Sequence, residues 1–296
     1  MKQHLPWCKR KPLAAMKLTP IEKRSGLTRE EFIENYLKPR RPVVFKDLIK
    51  DWPATQKWTF DWFRENHGDL EVPLVDNHIH DPDKYFQNAA TMPFGEYLSL
   101  IEKGPTDLRI FLFDIFKKIP ELNADVQFPT IMDGFVKSYK FMFFGGQNSE
   151  VNLHYDMDCS HVFLSQFQTR KKIILFPPSE SVRLYQHPFT VMSHVHPLHP
   201  DLKRFPAFDK AQGYETILEH GETVFIPSLW WHYIKYIDGG FGLALRANDS
   251  VFTLLKGGMN LARHTVVDKG MNSLLGPKWK EWKENKAIER AQEMMA

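Results

Sequence analysis

The chain has 296 residues, 43% apolar and 25% charged, enough to bury a substantial core in one large domain or two modest ones. A mean hydropathy of −0.41 with no long apolar run gives no membrane span. The net charge of +3, from 39 basic and 36 acidic residues, neither demands nor excludes a nucleic-acid ligand.

Residues 1–18 are basic and proline-containing, without periodicity, and read as an irregular tail. No apolar segment follows their positive charges, so they do not resemble a secretory signal. The two cysteines, Cys8 and Cys159, read as free thiols in a reducing compartment, and a cytoplasmic location is expected. In "GLTREEFIENYLKPRRPVVFKDL", Thr28 as N-cap with Glu31 predicts a helix that buries Phe32, Tyr36 and Leu37, stops at Pro39, and leads into a strand "PVVF". A second helix carries Phe60, Trp62 and Phe63 and stops at Gly68; "MPFGEYLSLIEKG" predicts a third.

From about Gly134 the texture changes to short β-branched and aromatic runs between turn residues: "YKFMFFGG", "HVFLSQF", "KKIILFPP", "ETVFIP", "WWHYIKYI" and "FGLALRA". Such runs predict an all-β sandwich or barrel, not a βαβ repeat. Arg183 to Asp209 forms a long excursion of the kind that borders a site. After Val251 the pattern is helical again, with Trp279 and Trp282 on one side of a charged helix.

The stretch "VNLHYDMDCSHVFLSQF" concentrates His154, Asp156, Asp158 and His161. Residues i and i+2 of a strand share a face, so His154 and Asp156 are expected to project together, with Tyr155 on the other side. Joined by a distant imidazole, such a pair makes the 2-His-1-carboxylate triad of non-haem Fe(II) sites, and His232 in "VFIPSLWWHYIKYI" is the best distant candidate. A lone H-x-D is also common in strands that bind nothing, and spacing alone does not choose.

Linked pieces in a fixed order do more: "LTREEFIENYLKPRRPVVFKDL", "WPATQKWTFDWFRENHG", "HYD", "KKIILFPP", "HPDLKRFPAFDKAQGYETILEHGETVFIPSLWWHYI" and "GGFGLALRAN". Over residues 26–250 the chain resembles the JmjC or cupin-like Fe(II)/2-oxoglutarate-dependent oxygenases, in the branch of factor-inhibiting-hypoxia-inducible-factor and the wybutosine tRNA hydroxylase. The resemblance implies a mainly β fold with a double-stranded β-helix (jelly roll) core at 134–250, inside one catalytic domain at 19–250 with flanking N-terminal helices. A C-terminal helical segment, 251–296, corresponds to the one through which relatives dimerise, which implies a possible homodimer. His154, Asp156 and His232 are then the metal ligands and catalytic residues, with Fe(II), 2-oxoglutarate and O2 as cofactor and cosubstrates. The implied reaction is C–H hydroxylation with release of succinate and CO2. A protein or peptide side chain is the favoured substrate; an RNA base or small metabolite comes second, and a non-catalytic binding protein third.

The same resemblance puts the cation for the distal carboxylate of 2-oxoglutarate on Lys171. A regular strand turns Arg170 and Lys172 to the opposite face, although "TRKK" also reads as a basic turn. Two departures stand out. Arg246 aligns where relatives usually carry asparagine, with Asn248 two residues on. Both are cosubstrate candidates, and Arg246 competes with Lys171 because a guanidinium fork matches a carboxylate; it reads equally as a surface arginine paired with loop carboxylates. The chain also runs about two residues longer after Asp156, which predicts a bulge over Met157 to Ser160. Asp158 is then a second carboxylate near the substrate or a solvated turn residue, and the polar strand position of relatives falls on Ser160, His161 or Val162. Phe111 stands near the place of a tyrosine that touches the cosubstrate in relatives. Trp230 and Trp231 are read as wall and core, "DNHIHDPD" from Asp76 to Asp83 as a solvated loop, and His187, His194, His196 and His199 as part of a loop bordering the pocket.

Overall fold

The computed structural model describes residues 18–76 and 88–296. The expected tail lies outside them apart from Leu18, as does the Asp76–Asp83 loop apart from Asp76. In chain order the strands are β1 (Leu18–Pro20), β2 (Lys23–Arg24), β3 (Val43–Phe45), β4 (Glu71–Leu74), β5 (Ala90–Pro93), β6 (Arg109–Ile110), β7 (Phe135–Gly145), β8 (Glu150–His154), β9 (His161–Gln168), β10 (Lys171–Phe176), β11 (Gly213–Leu218), β12 (Thr223–Ile226), β13 (Trp231–Tyr236) and β14 (Gly240–Ala247). The helices are α1 (Arg29–Phe32), α2 (Ala54–Lys57), α3 (Phe60–His67), α4 (Phe94–Lys103), α5 (Ile115–Lys118), α6 (Val251–Ala262), α7 (Lys269–Leu275) and α8 (Pro277–Met295).

Strands β8, β13, β10 and β11 make one sheet, extended by β1; β7, β14, β9 and β12 make the other, extended by β3, β2 and β6. All pairings among these eight strands are antiparallel, and the chain passes back and forth between the two sheets. This is the expected jelly roll, spanning Phe135 to Ala247. Around β9, β10, β12 and β14 both faces of the sheets are covered, which is why these strands read as nearly unbroken apolar runs. In β9, Val162 and Leu164 point between the sheets with Ile173, Leu175, Val224, Ile226 and Ala244. Phe163 and Phe167 face outward against Phe32, Trp58, Phe63, Phe225 and Phe241, beneath the N-terminal helices.

Thr28 accepts a hydrogen bond from Glu31 N (3.2 Å) and the Glu31 carboxylate accepts one from Thr28 N (2.9 Å), the capping box expected there. The helix stays α only to Phe32 and then widens into a π turn over Ile33–Leu37. Thr59 caps α3 with its side chain alone, accepting from Trp62 N. On the outer face of the other sheet, the excursion after β10 and the last helix pack together: Tyr185, Phe205 and Phe208 meet Trp231, Tyr233, Ala287 and Ala291. Trp279 is buried there and donates to Asp268, whereas Trp282 is half exposed although it stacks on Trp279. No helix among the described residues is long and apolar enough to cross a membrane.

Candidate active site

His154 and His232 face each other across the β8–β13 ladder, ring centroids 4.2 Å apart. A bulge produces that pairing, since a three-residue step in β8 (Val151 to His154) faces a two-residue step in β13 (Ile234 to His232). The expectation that His154 and Asp156 share one strand is corrected here. β8 ends at His154, and Asp156 lies beyond it, where Cys159 N donates to Asp156 O (3.0 Å) and closes a turn. That turn, with Cys159 at φ 56°, takes up the extra length for which a bulge over Met157–Ser160 was expected. Even so, one ligand atom each from His154, Asp156 and His232 lies within 4.8 Å of the others.

Each imidazole is oriented by its own backbone: His154 Nδ1 donates to Asn152 O (2.7 Å) and His232 Nδ1 to Trp230 O (3.2 Å). A carbonyl can only accept, so the proton sits on Nδ1 and the Nε2 lone pair is left for a metal. Burial lowers the pKa of His154 to about 3, helped by His232 beside it and opposed by Asp156. Burial lowers that of His232 as well, so both rings are held toward the neutral form, the one able to bind a metal. Burial alone would raise the Asp156 carboxyl; the Arg246 guanidinium and then the imidazoles overcome this and hold it well below the usual carboxylate range. Two neutral imidazoles and an ionised carboxylate suit non-haem Fe(II).

Arg246 is no surface residue. Its Nη1 lies 2.5 Å from Asp156 Oδ2 and its Nη2 donates to Asp156 Oδ1 at 2.8 Å, a two-pronged grip on the whole carboxylate. Nη1 also reaches Asp158 Oδ1 at 3.6 Å and Ser160 Oγ at 3.4 Å. Asp158 thus belongs to the Arg246 cluster and is absent from the His154–Asp156–His232 group.

The cluster opens into a cavity of about 330 Å³ whose lining includes Phe111, Phe143, Val162, Leu164, Ile234, Lys171 and Tyr236. Lys171 opposes Tyr236 in the β10–β13 register, as Leu175 opposes His232, so the lysine lies four residues along the ladder from the histidines, roughly 13 Å of backbone that its side chain can shorten. Its ammonium stands over the Tyr236 ring, 4.4 Å from the centroid. Burial lowers its pKa to about 7. Gly242 makes room for it: a Cβ there would fall 3.1 Å from Lys171 Nζ and 2.6 Å from Ser165 O. An apolar chamber with three metal-type donors at one end and a cation at the other fits a short dicarboxylate chelated at one end. Arg170 and Lys172, as expected, turn elsewhere, to Asp238 and Glu215.

Asn248 follows β14 outside the cavity lining, and its Oδ1 finds no hydrogen-bond partner among the described residues. His161 contacts Arg40, Ser228 N and Asp249 away from the metal-type cluster. The proline–histidine excursion does border the cavity, through Val191 and Met192, and Tyr155 N donates to Val191 O (3.1 Å). Arg109 and Tyr236 line the cavity without having been singled out in the sequence. Arg109 stands two residues before Phe111 in the same "RIFLFD" run, and Tyr236 shares the face of His232 at even spacing, which is the signal that could have found it.

A family model described as a cupin-like domain matches residues 28–248. The HSPB1-associated protein 1 homolog of Danio rerio is 39% identical over 227 residues, covering 67% of this chain and 50% of that protein. The tRNA wybutosine-synthesizing protein 5 of Homo sapiens is 29% identical over 251 residues, 76% of each chain. Lysine-specific demethylase 8 of Xenopus tropicalis is 28% identical over 235 residues, 76% of this chain and 52% of its own length. The chain therefore spans about half the length of the demethylase and of the HSPB1-associated protein. With the jelly roll and its His–Asp–His cluster in place, a match across residues 28–248 means that the chain belongs to the cupin-like, JmjC-type family of Fe(II)/2-oxoglutarate oxygenases.

Proposed function

We propose that this protein is an Fe(II)- and 2-oxoglutarate-dependent hydroxylase acting on a C–H bond of a protein or peptide side chain, with His154, Asp156 and His232 as iron ligands. The observation that carries the reading is the convergence of two backbone-oriented imidazoles and one ionised carboxylate at the end of a cavity that also holds a buried lysine. Bound there, iron with 2-oxoglutarate would supply oxidation of an unactivated C–H bond by O2, with release of succinate and CO2. The protein's share is orientation and exclusion. The Nδ1 hydrogen bonds fix both rings, Lys171 offers its ammonium to the distal carboxylate, and Phe111, Phe143, Val162 and Leu164 keep the chamber apolar. Arg246 is committed to Asp156, which favours Lys171 as the anchor; Asn248, outside the cavity lining, is the weakest of the three cosubstrate candidates.

A near-neutral charge balance favours a peptide over a nucleic acid, which asks for a strongly basic face. An RNA base is the second reading, favoured by the wybutosine-synthesizing relative that matches over three quarters of its length. The proposal extends to a homodimer formed through the C-terminal segment, where Phe252, Leu255, Met259 and Leu274 are exposed. Mass spectrometry of the proteome and of tRNA from cells carrying the wild type or Asp156→Ala tests the substrate. A +16 Da mark on a protein that depends on Asp156 supports the peptide reading, and one confined to a tRNA base replaces it.

A further inference from the structure

We infer that Arg246 makes metal binding at this centre conditional on the anionic cosubstrate. The inference rests on the reading of His154, Asp156 and His232 as metal ligands. A centre of two neutral imidazoles and one carboxylate carries a single negative charge. Here the guanidinium cancels it, because Arg246 holds both Asp156 oxygens, at 2.5 Å and 2.8 Å. Of these oxygens, Oδ2 is the one 3.8 Å from His232 Nε2, on the side where the ligand atoms converge. A divalent cation arriving alone would have to share an oxygen already engaged by a hydrogen-bond donor, and would add two positive charges to a neutral centre.

Burial makes that imbalance matter, since the side chains of Arg246 and Asp156 are only 12% and 17% exposed and solvent screens them weakly. Among the described residues Asp158 is the one other acid paired with the guanidinium; it is farther away, 3.6 Å, and 41% exposed, so water screens its charge. Lys171, in the same cavity, adds to the positive side when protonated. The missing negative charge is what dianionic 2-oxoglutarate carries. Metal and cosubstrate therefore bind each other's complex more tightly than either binds the bare protein, and by linkage the gain is the same in both directions.

Arg246 also steadies the Asp156 carboxylate, and losing an orienting partner weakens a metal site. The two roles pull metal affinity in opposite directions when the charge is removed, so substitutions separate them. Calorimetric titration of Mn(II), without O2, is run with and without saturating 2-oxoglutarate on the wild type, Arg246→Lys and Arg246→Gln, with folding followed by circular dichroism melts. Arg246→Met serves as the neutral variant if Arg246→Gln does not fold.

The neutral variant should bind Mn(II) alone roughly tenfold more tightly than wild type, and its gain from 2-oxoglutarate should shrink by a similar factor. Arg246→Lys keeps the charge but gives up the two-pronged grip, so it should bind Mn(II) alone no more tightly than wild type and keep most of the gain from 2-oxoglutarate. A neutral variant that binds Mn(II) no more tightly than wild type, or that keeps the full cosubstrate gain, overturns the inference while leaving the metal site intact. Failure of all the proteins to bind Mn(II), with or without 2-oxoglutarate, removes the functional reading itself.

Discussion

Lys171 lies across the β10–β13 ladder from Tyr236, with its ammonium 4.4 Å from the centre of the tyrosine ring and four residues along β13 from His232. A lysine is an unusual core residue, and this one is 1% exposed. Its neighbours include the tyrosine ring face and the backbone of Gly242, where a Cβ would also meet the buried Gln166 Oε1 at 3.1 Å; no carboxylate is among those described. Such a site stabilises an ammonium fully only when an anion enters.

A pH dependence follows. Burial lowers the Lys171 pKa from 10.5 to about 7. Between these values the unfolded chain holds a proton that the folded protein lacks, so this group's contribution to stability rises with pH across that window and is lost as pH falls toward 7. The slope is about 1.4 kcal/mol per pH unit, and Lys171→Met should abolish it. Urea unfolding of the ligand-free protein at pH 7 and pH 9 measures it. Cosubstrate affinity runs the other way, because a carboxylate wants the protonated form: 2-oxoglutarate should bind best below pH 7 and about tenfold less tightly per unit above it. A flat affinity profile would mean that another cation, with Arg246 or Arg109 the candidates in the cavity, holds the distal carboxylate.

Phe111 lines the same chamber and offers no hydrogen bond. Phe111→Tyr should tighten 2-oxoglutarate binding, by a factor of about ten if the hydroxyl meets the carboxylate squarely. Titration of the metal-loaded variant reads the change; unchanged affinity would place the distal carboxylate out of its reach.

Asp268 joins the C-terminal segment to itself, accepting from Trp279 Nε1 at 2.9 Å and from Lys283 Nζ at 2.6 Å, with both charged side chains nearly buried. Asp268→Ala leaves Lys283 buried without its partner and should cost about 3 kcal/mol. Chemical denaturation measures this, and a loss below about 0.5 kcal/mol would show that the segment contributes little to the fold's stability.

If the apolar residues exposed on α6 meet a second copy, Leu255→Glu should turn a dimer into a monomer in light scattering without lowering the melting temperature. A monomeric wild type would remove the homodimer from the account.

Much of this fold is legible in local patterns. Thr28 and Glu31 announce the first helix, because a capping box is a property of four consecutive residues. Strands β9, β10, β12 and β14 announce themselves by apolar runs, because both of their faces are covered. "GYETIL" does not read as a strand: β11 alternates polar Glu215 and exposed Ile217 with inward residues and lacks the unbroken run of β9 or β10. His154, Asp156 and His232 converge in space, but the period-2 argument for the first two does not describe how they meet. A bulge in β8 and a turn closed by Cys159 do that, and neither is encoded by residue spacing. The grip of Arg246 on Asp156 joins residues 90 apart in sequence, so it emerges only when β14 is laid beside the turn.

On the proposed reading, His154, Asp156 and His232 hold a redox metal that turns over 2-oxoglutarate. Succinate formation from 2-oxoglutarate, with Fe(II) and O2 and no added substrate, tests it most directly when wild type is compared with Asp156→Ala and His232→Ala. Wild type should release succinate slowly and only with iron, and neither variant should release any above background, all three proteins melting cooperatively. Equal rates in all three, or no release and no metal binding by the wild type, would contradict it.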